Sequence, residues 1–94
     1  MTNHLMLEKV LLELGQDGTL IIFSGGHSVR LLPTEVQLVS GWLRQLQGNR
    51  SLETSRAHFE IDKQGNVRIS NSAMKIHIGA KEVARIRNWL GQRF

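Results

Sequence analysis

Alternation of apolar and polar residues marks most of the first half of the chain. Three stretches place an apolar side chain at every second position, which predicts strands with one buried face: residues 9–14, 19–24 and 27–32. The next stretch changes to helical spacing, with one apolar stripe at Val36, Val39, Leu43 and Leu46. The first half therefore predicts three strands followed by a helix.

The second half repeats this order. Strand-like alternation returns over residues 56–61, 66–70 and 74–78, and a helical stripe follows at Val83, Ile86 and Leu90. Sliding the chain by 47 residues against itself gives a match without gaps. The matched identities are Leu5/Leu52, Glu13/Glu60, Gly18/Gly65, Ile22/Ile69, Glu35/Glu82, Val36/Val83, Trp42/Trp89, Leu43/Leu90 and Gln45/Gln92.

A match at one fixed offset indicates an internal repeat. We predict a single domain over residues 1–94, built of two repeats at about 3–47 and 50–94. The predicted class is α+β: a tandem βββα repeat with an internal pseudo-twofold axis, whose antiparallel sheets pack against two helices.

Turn and helix-end residues agree with these boundaries. Four-residue turns at 15–18 and 62–65 each end in a glycine that is free to adopt positive φ. Pro33 suits the first position of the first helix, and Gly79 is placed to cap the second. Gly48-Asn49 is expected to end the first helix and begin a short link.

The two copies differ on the strand faces that point away from the helices. In the second copy this face is predicted to be largely basic, with Arg56, His58, Glu60, Arg68, Ser70, Lys75 and His77. In the first copy it carries Lys9, Leu11, Glu13, Ile21, Phe23, Ser28 and Arg30. One outward face is therefore predicted to be polar, and the other contains an apolar patch.

Composition restricts the partners and the compartment. The formal net charge of +4 favours an anionic partner. Cysteine is absent, so neither a disulfide nor a thiolate metal site can form, and this agrees with a reducing, cytoplasmic location. The N-terminal residues do not resemble a signal peptide, and no apolar run approaches the length of a membrane helix. We expect a soluble protein without a membrane contact.

Catalytic and metal signatures are weak. The four histidines, His4, His27, His58 and His77, have no standard ligand spacing, which favours ordinary solvated or packed histidines over a metal site. The Ser-Gly-Gly-His stretch at 24–27 lacks both a nucleophile elbow and the lysine of a phosphate-binding loop. We expect no enzyme activity, no catalytic residue, no cofactor and no small-molecule substrate. Trp42 and Trp89 are expected to pack across the internal axis.

The order of elements resembles that of a known group of proteins. Residues 18–36 and 65–83 each run from a turn glycine through two strands into a helix, and the unit is doubled. This layout is similar to the Whirly, Pur-alpha and positive-cofactor-four type of single-stranded nucleic-acid-binding proteins. That group usually has four strands in each unit, one more than the pattern predicts here. The resemblance implies a non-catalytic protein that binds single-stranded DNA or RNA along an outward sheet face.

Two hypotheses for function remain open. The first is a nucleic-acid platform, in which cations neutralise phosphates and planar rings stack on bases. Its predicted residues are Phe23, Arg30, Arg56, His58, Arg68, Lys75 and His77. The second is a small regulatory or protein-interaction module that forms a homodimer through the apolar patch. Its predicted interface residues are Leu11, Ile21 and Phe23.

Overall fold

The computed structural model describes residues 3–45 and 50–93. The first unit consists of β1 (Asn3–Met6), β2 (Leu11–Leu14), β3 (Leu20–Ser24), β4 (His27–Leu31) and α1 (Pro33–Arg44). The second consists of β5 (Ser51–Glu53), β6 (His58–Ile61), β7 (Val67–Ser70), β8 (Lys75–Ile78) and α2 (Ala80–Gly91). Each group of four strands forms an antiparallel sheet in sequence order, here called the first and the second sheet. The predicted α+β class and the repeated strand-and-helix unit are confirmed.

Each unit has four strands where the sequence predicted three. The added strands, β1 and β5, are edge strands of four and three residues. Each contributes a single half-buried leucine, Leu5 opposite Leu12 and Leu52 opposite Phe59. β4 begins at His27 as predicted, and the other five strands begin one or two residues late, with β2 at Leu11 and β6 at His58. Short edge strands bury little, so they carry little alternation for a sequence reading to detect.

Strand pairing follows the offset found in the sequence. Leu20 pairs with Leu31 in the first sheet, and Val67 pairs with Ile78 in the second, each 47 residues further along. The helices also start 47 residues apart, at Pro33 and Ala80. The internal repeat is therefore a repeat of structure as well as of sequence.

Glycines hold three of the tight turns. Gly18 and Gly65 both have φ of +91°, as expected for the last residue of the turns before β3 and β7. Gly25 and Gly26 both have positive φ between the paired residues Ser24 and His27, a two-residue hairpin loop of the kind that matches strand twist.

The helix starts agree with the predictions. Pro33 is the first residue of α1, and the backbone N–H of Leu32 donates to Glu35 Oε1 at 3.0 Å. Gly79 is the N-cap of α2. The helix α1 ends at Arg44; Leu46 and the Gly48-Asn49 pair lie outside the described residues.

The inner faces of both sheets and the apolar stripes of both helices contribute to one core. Its buried residues form a single cluster drawn from both units. Trp42 of α1 reaches the second unit, where its ring centroid lies 6.2 Å from that of Phe59 on β6. Both tryptophans are buried, and Trp42 packs against the other unit as expected. Neither helix among the described residues has the length and apolar character needed to cross a membrane.

Equivalent glutamates on the two helices connect the units. The Ser55 hydroxyl donates to Glu35 Oε2 at 3.1 Å, and the backbone N–H of Glu8 donates to Glu82 Oε2 at 3.1 Å. Ser55 and Glu8 are themselves 47 residues apart. Each helix therefore binds the loop between the first two strands of the other unit.

Glu35 is the more buried of these two glutamates, with 6% of its surface exposed. Burial raises its pKa, but hydrogen bonds to the carboxylate outweigh that effect and hold the pKa below its ordinary value of 4.5. The Leu32 backbone N–H and the Ser55 hydroxyl donate to its two oxygens at 3.0 and 3.1 Å, and Thr54 and the Arg56 backbone also lower the pKa. The ionised form is therefore favoured by folding.

We expect Glu35→Gln to lower the free energy of unfolding by about 2 kcal/mol near neutral pH, because hydrogen bonds to a charged acceptor become weaker ones. A lowered pKa in the folded state gives stability that is complete above the unfolded pKa and is lost as pH falls through the folded pKa. The deficit should therefore shrink below about pH 4.5. Urea unfolding at neutral and acidic pH measures it. Glu82→Gln is the matched control, with a smaller neutral-pH loss because Glu82 is only half-buried. An equal Glu35→Gln deficit at both pH values would contradict the assignment.

Candidate nucleic-acid interface

The outward face of the second sheet is organised in two cross-strand rows. One row contains Ser51, Glu60, Arg68 and His77, and the other contains Glu53, His58, Ser70 and Lys75. Arg68, Lys75 and His77 are exposed, whereas their strand neighbours Ile69, Ile76 and Ile78 are buried. Strict alternation along β7 and β8 therefore presents these three side chains to solvent.

This face is less basic than the sequence predicted. The added strand β5 contributes Glu53, whose Oε1 lies 3.0 Å from His58 Nδ1. On the other side of the ring, His58 Nε2 lies 3.2 Å from Glu60 Oε1. His58 thus bridges two carboxylates and is only partly available to a ligand. Glu53 was missed because β5 was not predicted, although the upstream Leu5/Leu52 match indicated that the repeat extends this far.

Arg56 is on the rim of the second sheet and not within a strand. The prediction placed it at the start of a strand, but β6 begins two residues later, and Arg56 lies within the loop that hydrogen bonds between Thr54 and Ala57 close. The Thr54 hydroxyl donates to the Ala57 carbonyl and accepts from the Ala57 N–H, both at 3.1 Å. The Arg56 side chain is exposed beside the end of the sheet.

Phe23 and Arg30 are on the other sheet. On the outward face of the first sheet, Ile21 pairs with Arg30 and Glu13, and Phe23 pairs with Leu11 and Ser28. The seven predicted nucleic-acid residues are therefore divided between two sheets, five on or beside the second and two on the first. The three predicted interface residues, in contrast, are neighbours on one face.

The first sheet's outward face carries an apolar strip of Met6, Leu11, Ile21 and Phe23. Met6 is 73% exposed, and the other three are half-buried. Met6 belongs to β1, a strand that the sequence pattern did not predict. An open depression of about 450 Å³ adjoins the strip, between Lys9 and the Gly25-Gly26 hairpin. The equivalent positions in the second sheet are Glu53, His58, Arg68 and Ser70.

A further group of cations lies on the helices. Lys81, Arg85 and Arg87 of α2 and Arg44 of α1 are exposed. Arg93 is occupied locally, since its Nη1 donates to the Trp89 carbonyl at 2.8 Å and its guanidinium carbon lies 4.8 Å from the Trp89 ring centroid.

The remaining histidines do not converge. His4 Nε2 lies 2.8 Å from Glu13 Oε1 on the first sheet, and His27 is exposed at the start of β4. Within residues 3–45 and 50–93, no group of three or more potential ligands is placed to hold a metal ion. Comparison with family models, curated proteins and solved structures finds no match to this chain.

Proposed function

We propose that this chain is a non-catalytic protein that binds single-stranded nucleic acid on the outward face of the second sheet. The observation that supports this most directly is the group of exposed side chains at Arg68, Lys75 and His77, on two neighbouring rows of the outward sheet face. Arg56 extends the positive charge at the rim.

In this proposal the cations contact phosphates and the imidazole contacts bases. Arg68 and Lys75 are on adjacent strands, in neighbouring rows, so a backbone crossing the strands can contact both. His77 lies beside Arg68 and offers a planar ring for stacking on an unpaired base. Phe23 and Arg30, on the first sheet, take no part in this contact.

The two glutamates limit the affinity. Three cations, Arg56, Arg68 and Lys75, face two carboxylates, Glu53 and Glu60, so the local excess of positive charge is small. We therefore expect weak binding with a modest salt dependence. Three phosphate contacts to a single strand correspond to a slope of about −2 in log K against log salt concentration.

The architecture gives separate support. With four strands and a helix in each unit, the chain has the strand number usual for the group that the sequence resembles. An equal number of strands establishes neither a shared fold nor a shared activity, so the charged surface remains the main basis of the proposal.

Fluorescence anisotropy with labelled single-stranded DNA and RNA tests this function. A slope of about −2 corresponds to an affinity about 16-fold weaker at about 200 mM salt than at about 50 mM. Duplex DNA of the same sequence should bind less well, because its bases are not available for stacking. Anisotropy that does not change with protein concentration at low salt would contradict the proposal.

A further inference from the structure

The proposed function does not use the apolar strip on the outward face of the first sheet. Four apolar side chains occupy it, while the four equivalent positions of the second sheet are Glu53, His58, Arg68 and Ser70. Core packing does not require apolar residues there, because the second sheet packs its inner face equally well with a polar outward face. Contiguous exposed apolar residues usually mark an interaction surface.

We propose that a second copy of this chain covers the part of the strip on β2 and β3, with the two first sheets packed face to face and Met6 at the margin of the contact. The twofold axis lies between the sheets, parallel to β3 and directly above it. Ile21 and Phe23 of each copy then meet their own counterparts at the centre of the interface. Packed sheets lie about 10 Å apart with strand directions within about 30°, which leaves room for one layer of side chains from each.

The charges beside the strip are self-complementary about this axis. Glu13 on β2 and Arg30 on β4 both pair with Ile21 on β3. They therefore lie on opposite sides of β3, each about 4.8 Å from it. Rotation about the axis exchanges the two sides. Glu13 of each copy therefore faces Arg30 of the other, which forms two equivalent ion pairs.

The same charges argue against nucleic acid as the occupant. Glu13 and Arg30 flank the strip with opposite signs and Lys9 stands apart at its end, so no two cations lie side by side on these strands to contact successive phosphates. The Glu13 carboxylate is held on this face by His4, at 2.8 Å. A self-complementary pair flanking an apolar centre is instead the pattern of an isologous interface.

The size of the face indicates a weak dimer. About this axis only β2, β3 and β4 have a strand of the partner opposite them, and three strands spaced about 4.8 Å apart, with about 3.3 Å per residue over four or five residues, give a footprint of roughly 200 Å². That is well below the roughly 800 Å² per partner of a standard stable interface. We therefore expect a concentration-dependent equilibrium between monomer and dimer.

Analytical ultracentrifugation of the full chain tests this, from about 5 µM to about 500 µM. The average mass should rise from monomer towards dimer over this range. Glu13→Arg alone and Arg30→Glu alone each bring two pairs of like charges together, and each should weaken the dimer by at least about tenfold. The double variant, Glu13→Arg with Arg30→Glu, restores opposite charges and should recover the dimer. Lys63→Glu, in a turn of the second sheet, should leave it unchanged.

The double variant tests the position of the twofold axis. With the two sheets face to face, only an axis along β3 brings residue 13 of one copy to residue 30 of the other. Circular dichroism establishes that each variant is folded. A parent chain that stays monomeric at every concentration would overturn the proposal, and so would a double variant no better than the single ones. Single variants that leave the mass unchanged but weaken oligonucleotide binding would also overturn it, and would assign the first sheet to nucleic acid.

Discussion

Replacing Phe59 with alanine should lower the free energy of unfolding by about 4 kcal/mol, a large part of the 5–15 kcal/mol typical of a domain. Phe59 is 1% exposed and is the largest of the fully buried side chains. Its ring lies against Trp42, which belongs to the other unit, so truncation opens a cavity where the two units meet. Urea unfolding followed by circular dichroism and by tryptophan fluorescence measures the loss.

Leu38→Ala is the matched control, since Leu38 is 55% exposed and its truncation should change stability by less than about 0.5 kcal/mol. Because the two units share one core, fluorescence and circular dichroism should report the same transition in the parent chain and in Phe59→Ala. A loss under about 1 kcal/mol would contradict the cavity expected at Phe59, and two separate transitions would mean that the units fold independently.

The repeat was predictable because most of its elements leave a periodic hydrophobic pattern in the sequence. Strands β3 and β7 bury every second side chain, and both helices bury a stripe, so hydrophobic spacing located them. The glycine turns before β3 and β7 added conformational evidence that does not depend on burial. The short strands β1 and β5 left no such trace. Both lie at sheet edges, and each buries part of a single leucine.

For the candidate site, the sequence predicted which side chains of a strand point outward, but it did not predict how the strands are arranged in sheets. Alternation along β7 and β8 correctly placed Arg68, Lys75 and His77 on the outward side. Glu53 was missed because its strand, β5, was not predicted. The partial neutralisation of the positive charge on this face was therefore missed as well. The sequence could not show that Phe23 lies on a different sheet from these cations. Strand periodicity gives the side of a strand on which a residue lies, but it does not say which strands share a sheet.

The largest expected effect on binding comes from reversing the two central cations of the second sheet. Arg68→Glu combined with Lys75→Glu removes two phosphate contacts and adds two carboxylates to a face that already holds Glu53 and Glu60. At about 1.4 kcal/mol for each contact, the affinity for single-stranded oligonucleotides should fall by at least about 100-fold. Anisotropy titrations at low salt measure this. Both side chains are exposed, so the unfolding free energy should change by less than about 1 kcal/mol.

A control with the same change in net charge separates the sheet surface from general electrostatics. Arg44→Glu combined with Arg85→Glu also lowers the net charge by four, but at exposed positions on the two helices. If the single-stranded nucleic acid binds on the second sheet, this control should weaken binding only through long-range electrostatics. The loss should be less than about tenfold at about 200 mM salt, because salt screens charges over a short distance. Equal losses in the two double variants would show that net charge alone drives association. A larger loss in the helix variant would show that the helices carry the binding surface. The exposed side chains on β7 and β8 would then no longer support the proposed function.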